Sequence, residues 1–421
     1  MNLYTSTWTT TTTEQMHTNL ERENGSFMWF QIVIEVLLRS RSPEQYEKEV
    51  GELIARAKQQ YKNNPTQLAL IDQYHNKGYP GKPKIAAVLH ELESTITWYT
   101  RECFLYRMLN KALRKQDIDM LYAFGFFIRR LHKELKKEQG EQIQKLKITT
   151  QSEPTLNRES TNHEKATSDI LRGGSADSNS VEVKPNVEEK SNETVAEGPE
   201  PTVASIIHVY RGRGISNEEL TKLKEGIGKT ISINSFFSTT RNVTVALGFT
   251  QLVEKTADKQ LVLFEVEADL CLQGAKPFAD ISHLSDNKSE EVLFMLGSLF
   301  RIVDVNKEDH LSDIWTVKLI LCSDEDDRLK DVLERFKRQL PKKTNLYDLG
   351  NVLFEMGAYE HAQKCYTRHM CTAEDPLKEV TSVLCIKLGE IARIQKKYDF
   401  ALKCLKKVSW CGPFKRWIRV C

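Results

Sequence analysis

Apolar positions recur at three- and four-residue steps in the first third of the chain, alternate with polar ones in the middle, and return to helical spacing at the end. Ile32, Val36 and Leu37, followed by Leu53, Ile54 and Ala57, mark a helical segment over residues 27–84. Its far end is broken by Gly78-Tyr79-Pro80-Gly81-Lys82-Pro83, whose Gly-Lys pair lacks P-loop spacing. A second helical region runs from Ile85 to Leu135. Trp98, Leu105, Met108, Leu109, Ala112 and Leu113 form one stripe, and Ile118, Leu121, Tyr122, Gly125, Ile128 and Leu131 the next, with Asp117 placed to cap the second helix. An aromatic stripe at this spacing reads as core. From Ser205 the period becomes strand-like: 206–210, 230–237, 261–266, 292–295, 299–305 and 315–321 are short β-prone runs, interrupted by helical stretches at 217–224 and 242–249. Many short strands with few helices point to a compact mixed sheet or two packed sheets, not to alternating βαβ units.

Two stretches do not fit either period. Residues 1–26 are rich in Thr, Asn and Glu and read as a disordered start. No aromatic residue occurs from Ile128 to Val209, and residues 137–202 are Glu, Lys, Ser, Thr, Asn, Gln and Pro with few apolar groups. Such a segment buries too little to offset its ordering entropy, so a disordered insert is expected there. The longest apolar run, Phe27 to Leu38, is interrupted by Gln31 and Glu35 and falls short of the ~20 residues that span a membrane. It lies well inside the chain and lacks a small-residue cleavage site, so it is not a signal-peptide core.

Residues 323–343 read as a charged linker helix. After them the chain repeats itself: Leu349-Gly350 precedes Ala362 and Tyr366 at the same offsets at which Leu388-Gly389 precedes Ala401 and Leu405, with Tyr359 and Tyr398 at the turns. Small residues at fixed places let paired helices approach closely. This pattern resembles the tetratricopeptide repeat, a helix–turn–helix unit of ~34 residues. The copies here lie 39 apart, and residues 344–421 hold about two of them.

The 421 residues carry a formal net charge of +2, so the chain as a whole has no electrostatic footprint for nucleic acid. Nine cysteines are scattered with no CxxC pair, which speaks against a disulfide framework or a zinc site and for reduced thiols in a cytoplasmic protein.

Candidate chemistry concentrates at strand ends. His208-Val209-Tyr210-Arg211-Gly212-Arg213-Gly214 ends a strand in arginines and glycines; Ser235-Phe236-Phe237-Ser238-Thr239-Thr240 ends one in three hydroxyls; Ser289-Glu290-Glu291-Val292-Leu293-Phe294 brings two carboxylates into an apolar strand. Singly, each has a plain structural reading: Arg211 or Arg213 as a surface residue at a turn, Ser238 and Thr239 bonding local backbone, Glu290 and Glu291 as solvated loop charges. Together, in this order, they resemble the arginine-specific mono-ADP-ribosyltransferases, whose signature is an arginine on the first strand, a Ser-Thr-Ser motif on the next and a Glu-x-Glu motif. Trp98-Tyr99-Thr100-Arg101 and Phe104-Leu105-Tyr106-Arg107-Met108-Leu109-Asn110-Lys111-Ala112-Leu113 resemble the helical part that precedes those strands.

The resemblance covers residues 85–135 and 204–322. It implies an α+β fold: N-terminal helices, then a mixed, mostly antiparallel two-sheet transferase core over 85–322, then the all-α repeat tail. It implies NAD(P) as co-substrate, with no metal, and a protein arginine side chain as acceptor. Glu291 would stabilise the positive charge that develops on the ribose, Arg211 would hold the pyrophosphate side, with Arg213 as a further phosphate contact or equally a solvated side chain, Gly212 would admit the nicotinamide amide to the backbone, and Ser238 would position Glu291 while Thr239 supports the strand end. The chain has no GxGxxG after a strand, so no Rossmann site is expected. Two positions depart from the family pattern. Thr240 replaces the second Ser, keeping a hydroxyl. Ser289 replaces the first Glu, the residue that orients the acceptor guanidinium, and only Glu290 stands near enough to substitute. Hydrolysis of NAD to water, or an NAD-binding adaptor that works through its repeats with a protein or peptide partner, are therefore the alternative readings.

Overall fold

The computed structural model describes residues 8–10, 30–39, 43–78, 94–115, 117–152, 205–253, 257–285, 290–307, 313–323, most of 334–341, 344–372 and 378–410. Ser289, singled out above, lies outside the described residues, as does the remainder of the insert from 153 to 204.

Helices α1 (30–38), α2 (Pro43–Gln60), α3 (Pro65–Gln73), α4 (Thr95–Thr100), α5 (Phe104–Lys115), α6 (Ile118–Ala123) and α7 (Gly125–Ser152) form the first layer. The helical stripes supply its interior: Trp98, Leu105, Leu109, Leu121, Ile128 and Leu131 are all buried. Caps set the helix starts. Asp117 accepts from Met120 N at 3.1 Å and Asn64 from Gln67 N at 3.1 Å. Glu134 of α7 receives the hydroxyls of Ser94 and Thr95 and the Ile96 N–H, which fastens the N-terminus of α4. Burial pushes the Glu134 carboxyl up, and these bonds together with Arg130 outweigh it and hold it low.

Among the described residues there are nine strands: β1 (Trp8–Thr10), β2 (Ile206–Ser216), β3 (Thr230–Ile233), β4 (Phe237–Thr240), β5 (Lys259–Asp269), β6 (Phe278–Asp280), β7 (Glu291–Phe294), β8 (Leu299–Lys307) and β9 (Ile314–Cys322). They pair in the order β1-β3-β8-β9-β5-β2-β4-β7-β6, antiparallel except for β5 beside β9. One hydrogen-bonded ladder runs throughout, and its two parts meet at a single pair, Tyr210↔Thr240. Helix α8 (Asn217–Glu225) follows β2 and α9 (Val243–Gln251) follows β4.

Two polar stretches are ordered where disorder is expected. Trp8–Thr10, within the Thr-rich start, lies as an edge strand against β3. Helix α7 continues through residues 137–152, the first part of the expected insert. Its polar side chains serve the sheet: Gln139 donates to Leu270 O at 2.9 Å, and Gln142 both donates to Asp280 O at 2.7 Å and accepts from Asp280 N at 3.1 Å. Ile143 and Leu146 pack on the sheet core, and Lys137–Glu141 adds an i,i+4 pair on the outside.

The C-terminal part is two helical hairpins: α10 (Leu346–Glu355) with α11 (Tyr359–Thr372), and α12 (Lys378–Ile394) with α13 (Tyr398–Trp410). Gly350 permits the first pairing, because a Cβ there would lie 2.5 Å from the Tyr366 ring. The hairpins share a core with the N-terminal helices; Leu349, Tyr366 and Ile391 belong to the same apolar cluster as Phe30, Leu53 and Trp98. Polar ties reinforce the seam. Arg39 donates to Leu340 O at 2.7 Å and Lys337 O at 2.9 Å. Arg368 of α11, whose side chain is 8% exposed, reaches Asp119 at 2.7 Å and Glu52 at 2.5 Å. Among the described residues no helix is long and apolar enough to cross a membrane, and none of the seven described cysteines is in a disulfide.

Arg368→Ala leaves Glu52 and Asp119 facing each other's charge at the seam. Both carboxylates are partly solvated, which discounts the loss to about 1–3 kcal/mol in urea unfolding, with earlier proteolysis of the hairpins. His132 on α7 is held neutral by burial and by Lys136 and Lys276, its pKa lowered to about 4. The unfolded chain, with an ordinary imidazole, takes up a proton near pH 6.5 that the folded chain refuses, so stability falls as pH drops from 6.5 toward 4. Thermal melts of His132→Gln between pH 6.5 and 5 should show a shallower fall than the wild type.

Candidate active site

The three strand ends singled out in the sequence meet. β4 lies between β2 and β7 in the ladder, and Thr240 sits opposite both Tyr210 and Glu291. Ser238 is the hub. Its carbonyl accepts from Arg211 Nη1 at 2.8 Å, and its hydroxyl donates to Glu291 Oε1 at 2.6 Å. Arg211 and Ser238 are half-buried, whereas Glu291 is only 8% exposed. The Arg211 guanidinium also lies over the Phe237 ring, 5.2 Å from its centroid, which fixes its plane. One N–H of the fork is spent on Ser238, and the fork's other N–H groups suit an anion such as a pyrophosphate.

Sequence reasoning missed the other half of the carboxylate's support. Ser285, buried, donates to Glu291 Oε2 at 2.6 Å, so a hydroxyl holds each carboxylate oxygen. Ser282 accepts from Glu291 N at 3.1 Å while donating to Asp280 Oδ1 at 2.5 Å. Arg241 Nε completes the chain on Asp280 Oδ2 at 3.0 Å. Burial raises the Asp280 carboxyl, and the bonds from Ser282 and Arg241 outweigh that and hold it low. The available signal was a pair of serines in Asp280-Ile281-Ser282-His283-Leu284-Ser285, just before the glutamates. Tyr99 was also quoted only as part of a helix. It is buried against Phe236 at 4.9 Å between centroids. Burial pushes its phenol well up, with Tyr106 and Glu291 adding to the rise, so it stays protonated beside the site. Thr97 of the same helix donates to Leu284 O at 2.8 Å, tying α4 to the serine loop.

The remaining candidates fall elsewhere. Thr239 is buried and donates to Val292 O at 2.9 Å, a cross-strand tie consistent with supporting the strand end. Thr240 accepts from Asn242 N at 3.1 Å. Glu290 is exposed, and its carbonyl accepts from Arg241 N at 3.3 Å. Arg213 is neither solvated nor placed for a phosphate: it is 1% exposed and paired with Glu219 of α8 at 3.0 Å. Burial lowers its guanidinium to about 10, opposed by Glu219. Gly212 has a packing reason for its missing side chain. A Cβ there would stand 1.9 Å from Ala246 O of α9.

No family model and no curated protein matches this chain. Forty-two solved chains are similar to part of it. Among them are the Vis toxin, an ADP-ribosyltransferase from Vibrio splendidus (26% identity over 29% of this chain and 51% of that chain, TM-score 0.24), the ADP-ribosyltransferase HopU1 of Pseudomonas syringae (21% identity, 28% and 46%, TM-score 0.22) and the Clostridium limosum C3 exoenzyme (17% identity, 28% and 60%, TM-score 0.22). This chain spans about half the length of the first two. At such TM-scores the likeness decides neither fold nor activity, and the chemistry is read from the side chains above.

Gly212→Ala forces α9 off β2 and should cost about 3 kcal/mol in urea unfolding. Gly248→Ala on the same helix, where a Cβ meets nothing within 4 Å, should be neutral or stabilise by up to about 1 kcal/mol.

Proposed function

We propose that this chain cleaves the nicotinamide–ribose bond of NAD and transfers ADP-ribose to an acceptor, a protein arginine side chain in the first instance, releasing nicotinamide. The observation that carries the reading is the continuous contact Arg211–Ser238–Glu291. A guanidinium fork for a pyrophosphate and a nearly buried carboxylate are linked through one serine. Nothing in that set needs a nucleophile or a metal.

Residue types fit each demand. The C1′–N bond breaks with its electron pair leaving on neutral nicotinamide, and C1′ becomes oxocarbenium-like. Glu291, charged and kept in place by Ser238 and Ser285, lies in a poorly solvated setting where it stabilises that positive charge more than water does. Arg211 binds the pyrophosphate; Gly212, whose flank is closed by α9, offers backbone groups to the carboxamide; Thr239 holds the strand end. The acceptor nitrogen then bonds to C1′ and loses a proton. Residues 85–322 would form the transferase domain, here a single ladder, and residues 344–421 a tetratricopeptide-like tail of about two repeats that receives a protein or peptide partner. Ser289, where the family motif has its first Glu, favours water as a competing acceptor, with Glu290 the nearest carboxylate for an incoming guanidinium.

The test is nicotinamide release from doubly labelled NAD by the full chain, with and without agmatine. Release with adenylate label on agmatine supports the transferase reading; release with free ADP-ribose alone supports the glycohydrolase; no release by folded protein contradicts both. Arg211→Lys keeps a charge but loses the planar fork, so KM for NAD should rise about tenfold with the melting temperature nearly unchanged.

A further inference from the structure

Both ends of the peptide group that leads into Glu291 trace back to Arg241. The carbonyl of that group, Glu290 O, accepts from Arg241 N at 3.3 Å. Its N–H, at Glu291 N, donates to Ser282 Oγ at 3.1 Å. Ser282 has one hydroxyl proton and gives it to Asp280 Oδ1 at 2.5 Å, so its lone pairs are left for that N–H. The Asp280 backbone is held at both N and O by Gln142 of α7, and its Oδ2 by Arg241 Nε at 3.0 Å. Arg241 stands directly after Thr240, whose pairing with Glu291 is the last in the β4–β7 ladder. Past that pair, the main chain of Arg241 takes one end of the 290–291 peptide, and its side chain takes the other through Asp280 and Ser282. The side chains of Arg241 and Asp280 are 41% and 28% exposed, and an ion pair so open to water adds little to stability. It can still decide position, and a misplacement of about 1 Å at the reacting centre costs up to about a hundredfold in rate.

We propose, on the reading that Glu291 stabilises the ribose cation, that Arg241 is a positioning residue for Glu291. It acts through Asp280, Ser282 and the 290–291 peptide, and not by touching the dinucleotide. Ser238 and Ser285 fix the carboxylate oxygens, whereas this circuit fixes the main chain from which the carboxylate projects. Replacing the Arg241 side chain removes one arm of the circuit only, because the bond to Glu290 O comes from the main chain.

The test is steady-state nicotinamide release from NAD by the full chain, comparing Arg241→Met, Arg241→Lys, Asp280→Asn and the double variant Arg241→Met, Asp280→Asn. Arg241→Met should lower kcat about tenfold or more, with KM for NAD changed less than about twofold and the melting temperature nearly unchanged. Arg241→Lys, which keeps a cation for Asp280, should recover most of the loss. The double variant should be no slower than the slower single variant, because both changes act in one path. Amide hydrogen exchange at Glu291, measured without NAD, should quicken in Arg241→Met and not in Arg241→Lys. An unchanged kcat in Arg241→Met, a raised KM at constant kcat, or additive losses in the double variant overturns the proposal and leaves the NAD reading standing. No release by the folded wild type contradicts the NAD reading, and the positioning role falls with it.

Discussion

Ser238 makes two hydrogen bonds on which the rest of the site depends. A carboxylate that is nearly buried is costly unless each oxygen has a donor, and hydrogen bonds to a charged group contribute about 1.5–3 kcal/mol each. Ser238 and Ser285 supply those donors to Glu291. The same Ser238, through its carbonyl, fixes the guanidinium of Arg211. One residue in the middle strand therefore links the Arg211 guanidinium to the Glu291 carboxylate. This is possible because β4 is short and lies between the two strands that carry them.

That arrangement needs a firm backing, and the helices provide it. Helix α4 is fastened at its N-terminus by Glu134 and bonded at Thr97 to the loop that presents Ser285. Helix α1 reaches the sheet directly: Gln31 donates to Ser232 Oγ at 2.9 Å and to Gly297 O at 3.0 Å. The hairpins then pack on this same helical layer through Arg39 and Arg368. Helices, sheet and tail thus share contacts through one helical layer.

Much of this was legible from residue pattern. Helical stripes such as Leu105-Leu109-Ala112 and the cap at Asp117 lie where periodicity and local hydrogen bonding place them, because both are decided within one or two turns of chain. The order of Arg211, Ser238 and Glu291 brought together residues far apart in sequence, and the ladder does juxtapose them. What failed had a common cause. Residues 137–152 looked unable to order because their apolar content is low, yet Gln139 and Gln142 gain their value from sheet backbone that is remote in sequence. Arg213 read equally as a further phosphate contact or a solvated side chain, but alternation along β2 and the position of Glu219 on α8 turn it inward. Ser285 carries no motif of its own; only the return of the chain through β6 and β7 places it on Glu291. Trp8–Thr10 is a strand because β3 offers an edge, which composition does not reveal.

In the proposed reaction Glu291, positioned by two serines, accelerates loss of nicotinamide and does not merely hold the dinucleotide. Single-turnover nicotinamide release by Glu291→Gln at saturating NAD addresses it, with calorimetry on the same preparation reporting affinity. The expected result is a rate lowered by at least about a hundredfold with the NAD dissociation constant changed less than about threefold. An unchanged rate, or a loss wholly explained by weaker binding, would contradict it.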